Sequence, residues 1–266
     1  MKYDGYFLVS DFDGTLVNSS QHVSKENKAA IQYFTENGGL FCGATGRTQF
    51  SIRPYMIDLP LNCPWILYNG ACLYDFQEDR AKKIVPVNKE PLRAILKRVM
   101  HEIPQICIHL FTEDTCYLIN PNGIEDKLML REEQDFVYGD MDAITKPWIK
   151  ALLHEEHEVL KEVQKLVMAE DKEKDFHVFF SIGTYLEITG SRVSKGFALE
   201  LLKKEYGERI RKVIAIGDYH NDLEMLQKAD IKAAPANAHP EVKKHAQIIT
   251  AHHDDHALAD LISQLD

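Results

Sequence analysis

Two carboxylates, Asp11 and Asp13, stand two residues apart where the apolar, β-prone run Tyr6-Phe7-Leu8-Val9 gives way to the turn residues Gly14-Thr15. Residues i and i+2 of a strand share a face, so both acids can point at one reacting centre. One carboxylate can attack phosphorus while the other handles a proton. A bound Mg²⁺ would keep the first ionised and screen it from an anionic phosphate. Taken alone, an Asp-x-Asp turn is equally a solvated acidic loop, so the rest of the chain has to decide.

Strand and helix signals alternate at both ends of the chain. A strand at 6–10 is followed by a helix at 24–37, with Ser24 as N-cap and Gly38-Gly39 as its stop, and then by a strand at 40–44. Residues 65–68 and 71–75, joined by Asn69-Gly70, have the composition of a tight hairpin. The same rhythm resumes with a helix at 195–206, a strand at 212–216 and a helix beginning at Asp222. Strand 231–234, helix 241–245, strand 247–250 and helix 257–264 complete it. These segments predict an α/β fold: the two halves of a Rossmann-like, doubly wound parallel sheet. Residues 83–190 read differently, as an inserted α+β domain with helices at 89–102 and 155–169 and mainly antiparallel strand potential. Its aromatic residues Trp148, Tyr117 and Phe176 to Phe180 read as core of that insert.

Open parallel sheets bind ligands beyond the carboxyl ends of their strands, and four motifs fall there: Asp11-Phe12-Asp13-Gly14-Thr15-Leu16, Ala44-Thr45-Gly46-Arg47, Ser194-Lys195-Gly196 and Gly217-Asp218-Tyr219-His220-Asn221-Asp222. In this order they resemble the four motifs of the haloacid dehalogenase-like phosphohydrolases, and within them the Cof-type (IIB) subfamily, over essentially the whole length. The resemblance implies a catalytic core from residues 1–82 and 191–266, with 83–190 as a cap that sets substrate specificity. It implies Mg²⁺-dependent hydrolysis of a small phosphorylated metabolite, a sugar phosphate first, through an aspartyl-phosphate. Phosphomutase or phosphotransferase chemistry on the same fold is the alternative, and a non-catalytic phosphate-ligand module is a third.

By this resemblance Asp11 is the nucleophile and Asp13 the general acid and base. Phe12, Thr45, Gly46, Lys195 and Asn221 are phosphate-binding positions, and Asp11, Asp13 through its carbonyl and Asp218 are the metal ligands. Asp222 orients either metal-bound water or the Lys195 ammonium. Each position also has a plainer reading: Asp13 as an Asx-turn residue, Thr45 as the start of a turn, Asn221 or Asp222 as a helix cap. Thr45 offers both its hydroxyl and its backbone amide as donors. Arg47 either touches phosphate or holds the loop through an ion pair, and His220 reads as a solvated neighbour. A lysine at a helix start works against the dipole, which calls for a reason beyond local helix energetics. The tract His252-His253-Asp254-Asp255-His256 allows a metal site, but its position before a helix favours a surface cap made by Asp254 or Asp255. The subfamily usually carries glycine near His256-Ala257, and Pro235 replaces its usual methionine-like residue, whereas Asn237 keeps the pattern.

Composition narrows the partners. With 31 basic and 41 acidic residues the formal charge is 31 − 41 = −10, and no basic tract offsets it, so nucleic acid and anionic membranes are poor partners. No apolar run is long enough to span a bilayer, and Met1-Lys2-Tyr3-Asp4-Gly5 leads into a strand without signal-peptide features. Five cysteines lack C-x-x-C or zinc spacing, which predicts a reduced, cytoplasmic protein with Cys42 as a small buried hydrophobe.

Overall fold

The computed structural model describes residues 1–121, 135–182 and 184–265, which form two compact units, residues 1–83 with 194–266 and residues 84–193. In the first unit an eight-stranded sheet runs in the order Ile248–Thr250, Ile231–Pro235, Lys212–Ile216, Tyr6–Asp11, Leu40–Ala44, Trp65–Leu67, Cys72–Asp75, Arg80–Ile84. The first six are parallel to their neighbours, and Cys72–Asp75 returns antiparallel to Trp65–Leu67. Tyr6–Asp11 lies near the middle, and Phe7, Leu8 and Val9 are all fully buried, which is why its sequence is a continuous apolar run rather than an alternating one. Phe7, Val9, Cys42, Ala198, Leu202 and Val213 share one apolar cluster, in which each large aliphatic or aromatic side chain contributes about 1.5–3 kcal/mol by leaving water.

The Ser24 cap predicted for the first helix forms, and Ser194 caps a later helix in the same way. The Ser24 hydroxyl accepts from the Asn27 amide ahead of Lys25–Glu36, and the Ser194 hydroxyl accepts from the Phe197 amide ahead of Lys195–Tyr206. The hairpin is looser than Asn69-Gly70 predicts: four residues, Tyr68 to Ala71, separate the strands, and Tyr68, Asn69 and Gly70 all have positive φ. At Gly70 a side chain is impossible, because a Cβ would stand 2.1 Å from the Ser194 carbonyl oxygen. The helix read from Asp222 is preceded by a 3₁₀ turn at His220–Asp222 and runs over Leu223–Gln227.

The second unit carries a six-stranded sheet in the order Phe176–Ile182, Tyr185–Gly190, Lys150–His154, Cys107–Phe111, Cys116–Leu118, Phe136–Tyr138. All pairs are antiparallel except the last. Leu92, Leu96 and Val99 of helix Lys89–Glu102 and Leu160, Val163 and Val167 of helix His157–Glu170 share a core with Trp148, which is fully buried. Two strands escape the sequence reading. Arg80–Ile84 is a charged edge strand and Phe136–Tyr138 is a three-residue, largely exposed one, so neither shows apolar periodicity. Among the described residues all five cysteines are free and buried, Cys42 completely. No helix among them is long and apolar enough to cross a membrane.

The tract before the last helix departs from its predicted role. Neither Asp254 nor Asp255 caps Ala257–Ser263; His256 occupies the N-cap position without a side-chain bond, in the left-handed region at φ 67°. That conformation favours glycine, since a Cβ is strained there. Asp254 instead accepts from the Ser19 amide at 2.7 Å and the Ser19 hydroxyl at 2.9 Å.

Candidate active site

The first unit gathers the motif residues at the carboxyl end of its parallel strands. Asp11 closes Tyr6–Asp11, Thr45 follows Leu40–Ala44, Asp218 follows Lys212–Ile216, and Lys195 opens its helix. The Lys195 ammonium is 1% exposed and donates to Asp11 Oδ1 at 2.5 Å and to Asp222 Oδ1 at 2.6 Å. This explains a lysine at the unfavourable end of a helix: two buried carboxylates hold its charge. The other oxygen of Asp222 accepts from the Asp218 amide at 2.9 Å and the Tyr219 amide at 3.0 Å. Asp222 therefore both braces the turn and holds the ammonium, whereas the Asp11 Oδ2 atom is buried with no hydrogen-bond partner.

Carboxylate oxygens of Asp11, Asp218 and Asp222 lie within 4.8 Å of one another. Three acids facing one ammonium leave an excess of negative charge in a dry place. Burial first, and the Asp222 charge second, push the Asp11 carboxyl well above its ordinary pKa, against the pull of Lys195. The same two causes push Asp218 up to about 6. Burial opposes the Lys195 charge, but Asp11 and Asp222 outweigh it and hold the ammonium above its usual pKa. The oxygen donors of Asp11 and Asp218 fit a hard dication, and the orphaned Asp11 Oδ2 is the atom such an ion would satisfy. Asp222 fits less well, because both of its oxygens are already engaged.

Asp13 is more open, with 47% of its side chain exposed, and Arg47 grips it bidentately, Nη2 at 2.6 Å and Nε at 2.9 Å. Arg47 thus makes the ion pair, and it donates to Gln21 Oε1 as well. The Phe12 side chain is wholly buried, edge-on to Tyr55 with ring centroids 5.0 Å apart, so only its backbone can serve a ligand. The Thr45 hydroxyl accepts from the Arg47 amide at 3.1 Å, but the Thr45 amide, expected as a free donor, is spent on the Ile66 carbonyl at 2.8 Å. Asn221 donates to Asn69 Oδ1 at 3.1 Å. A Cβ on Gly46 would come within 2.9 Å of Asn69 Nδ2, and one on Gly14 within 2.6 Å of Asp218 Oδ2, so both glycines are there for close approach. His220 is exposed, its ring 4.4 Å from that of His239.

Sequence reasoning missed Asn69 and Gln21. Asn69 reads as a turn residue beside Gly70, and nothing in its spacing shows that its amide donates to the Thr45 carbonyl while its side chain meets Asn221. Asn237, noted for its pattern alone, donates to the Gly14 carbonyl at 2.7 Å and accepts from the His253 amide at 3.0 Å.

The raised acids make a stability prediction. Asp218 binds its proton more tightly folded, near 6, than unfolded, near 3.8, so its contribution is full below about pH 4 and is lost as pH rises through 6. Asp11 shifts in the same sense. In chelator, Asp218→Asn should therefore flatten the loss of stability between pH 4 and 6 and stabilise the protein at pH 7 by about 1–2 kcal/mol, allowing for solvent screening of a partly exposed group. Urea unfolding at several pH values checks this; a variant less stable than wild type at pH 7 contradicts it.

The chain matches the family model of haloacid dehalogenase-like hydrolases over residues 8–262. It is 27% identical to 5-amino-6-(5-phospho-D-ribitylamino)uracil phosphatase YwtE of Bacillus subtilis, covering 97% of each chain. The fold superposes on a haloacid dehalogenase-like hydrolase from Bacteroides thetaiotaomicron with a TM-score of 0.85 and 25% identity, covering 98% of this chain and 99% of that one. It superposes on the HAD subclass IIB sugar phosphatase BT4131 with a TM-score of 0.78 and 18% identity, covering 97% and 98%. A buried Asp–Lys–Asp centre at the mouth of a parallel sheet and a match spanning nearly every residue lead to one conclusion: the chain is a hydrolase of the haloacid dehalogenase-like family, Cof-type.

Proposed function

We propose that the protein is a Mg²⁺-dependent phosphatase acting on a small phosphorylated metabolite of the sugar- or polyol-phosphate class, through an aspartyl-phosphate on Asp11. The observation that carries this is the split state of the Asp11 carboxylate: Oδ1 is tied to Lys195, while Oδ2 is buried and unpartnered beside Asp218. With a dication to offset the burial that favours its neutral form, a carboxylate oxygen free of donors is a competent nucleophile. In the first step Asp11 Oδ2 bonds to phosphorus as the P–O bond to the alcohol breaks, and protonated Asp13 gives its proton to the departing alkoxide. In the second, water attacks phosphorus, Asp13 takes the water proton, and inorganic phosphate leaves with the Asp11 carboxylate restored. The bidentate Arg47 contact fixes the position of the Asp13 carboxyl beside Asp11 for both steps.

Lys195 neutralises the nucleophile and the incoming phosphate together, an effect strengthened by its burial. The Phe12 amide, the Thr45 hydroxyl and the Asn221 side chain are the phosphate donors, and Gly46 lets the backbone approach. Asp11, Asp218 and the Asp13 carbonyl would hold Mg²⁺, which would supply charge neutralisation between the phosphate and the acids. Asp222 positions Lys195. The named substrate of YwtE and the sugar phosphatase BT4131 support the substrate class. Because every motif residue lies in the first unit, the second unit is the part left to discriminate among leaving groups. A cytoplasmic setting accords with five free, buried cysteines.

Asp11→Asn should lower turnover by about four orders of magnitude or more, and Asp13→Asn by about 10²–10⁴, with near-native circular dichroism. Chelation should abolish activity and Mg²⁺ should restore it. Phosphate release across phosphorylated metabolites reads all three, and wild-type rates in folded Asp11→Asn protein would refute the assignment. Replacing residues 84–193 with the matching segment of a relative should change the ratio of catalytic efficiencies between sugar phosphates and a small artificial ester; an unchanged ratio places specificity in the first unit.

A further inference from the structure

We infer that His252, His253 and Asp254 form a second cation site, sharing no residue with the Asp11–Asp218 pair and suited to a zinc-type dication. The Asp254 carboxylate lies 3.5 Å from Nδ1 of His252 and 3.9 Å from Nε2 of His253. Donor atoms of all three residues fall within 4.8 Å of one another. Tetrahedral zinc, with nitrogen and oxygen ligands at ~2.0–2.1 Å, spaces adjacent donors about 3.3 Å apart, so the donors must draw together and His252 Nδ1 must exchange its bond to the Asp254 amide for the metal. Sequence neighbours in an extended chain point to opposite sides. Here the 3₁₀ turn His253–Asp255 brings the two imidazoles together, with ring centroids 4.7 Å apart.

The hydrogen bonds around the cluster leave both facing imidazole nitrogens without a proton. Nδ1 of His253 sits 2.8 Å from the Val17 carbonyl oxygen, which only accepts, so that nitrogen carries the proton and Nε2 presents its lone pair to Asp254. A carbonyl behind the ring is the arrangement that fixes the tautomer of a metal-binding imidazole and raises its basicity. Nδ1 of His252 accepts from the Asp254 amide at 3.2 Å, so this nitrogen also carries no proton, and a metal would take over the lone pair that the amide engages. The Ser19 amide, followed by its hydroxyl, holds the Asp254 carboxyl below the usual range and therefore anionic. The same hydroxyl is 3.4 Å from His253 Nε2. Two imidazoles and one carboxylate are a borderline donor set, which favours zinc over the hard magnesium ion suited to the oxygen-only pair.

Val17 pairs with Asp13 through an isolated bridge, and the His253–Val17 and Asp254–Ser19 hydrogen bonds fasten the segment after Asp13 to the C-terminal tract, so a metal at 252–254 would stiffen one side of that junction. Binding to the folded state alone would raise stability with metal concentration. This inference is independent of the proposed reaction.

The test is zinc titration of the metal-free full-length protein in excess Mg²⁺, followed by calorimetry and thermal unfolding, with cobalt(II) as a visible-absorption probe of nitrogen ligation. One equivalent should bind and raise the melting temperature, and cobalt should give the intense bands of a low-coordinate nitrogen–oxygen site. His252→Gln, which leaves the His253–Val17 bond in place, should weaken zinc at least tenfold, and His252→Gln/His253→Gln should abolish both signals. Asp218→Asn should leave them unchanged. Circular dichroism without metal verifies that each variant folds. Zinc binding that survives the double substitution, that disappears with Asp218→Asn, or that is weaker than about 100 μM in wild type would overturn the site.

Discussion

A single ammonium group, that of Lys195, holds the architecture of the site together. It lies 1% exposed between Asp11 and Asp222, two acids more than two hundred residues apart in sequence. Burying ions costs several kcal/mol each, and a buried pair recovers that cost only when its remaining atoms are satisfied. Asp222 meets the condition through the Asp218 and Tyr219 amides, and Asp11 does not, because Oδ2 has no donor. The shortfall is localised on the one oxygen that a phosphorus atom or a cation would use. Structural stability and chemical readiness are thus opposed at that atom, a trade expected where strain is kept for function.

Around this centre the backbone is packed too closely for side chains. Gly14 admits the Asp218 carboxylate, Gly46 admits Asn69, and Gly70 admits the Ser194 carbonyl ahead of Lys195. Asn237 clamps the Gly14 carbonyl from the C-terminal segment. These contacts join the first and last thirds of the chain, which also pair directly where Tyr6–Asp11 lies against Lys212–Ile216. The parallel register then brings Ser10 opposite Ile216, so that the loops carrying Asp11 and Asp218 leave the sheet side by side.

Much of this was legible in the sequence because its causes are local. The apolar run 6–10 and the serine cap at Ser24 each act over a few residues and form as read, and the four motifs fall at the strand ends where their sequence context puts them. What was not legible depends on long-range pairing. Asn69 looks like any turn residue until Asn221 meets it, and Asp254 looks like a helix cap until Ser19, 235 positions away, claims its carboxylate. The Thr45 amide looks available until the neighbouring strand supplies the Ile66 carbonyl. Strands at Arg80–Ile84 and Phe136–Tyr138 lack periodicity because they are charged or short and exposed, not buried.

The central claim is that Asp11 carries the phosphoryl group in transit, and the direct measurement is its covalent capture. Protein quenched in acid during turnover of a phosphorylated metabolite, digested and read by mass spectrometry should carry one phosphoryl group on the peptide containing residues 6–16, assigned to Asp11, with none in Asp11→Asn. Phosphorylation of another residue, or turnover whose oxygen-18 label shows water attacking the substrate directly with no modified Asp11, would contradict the account.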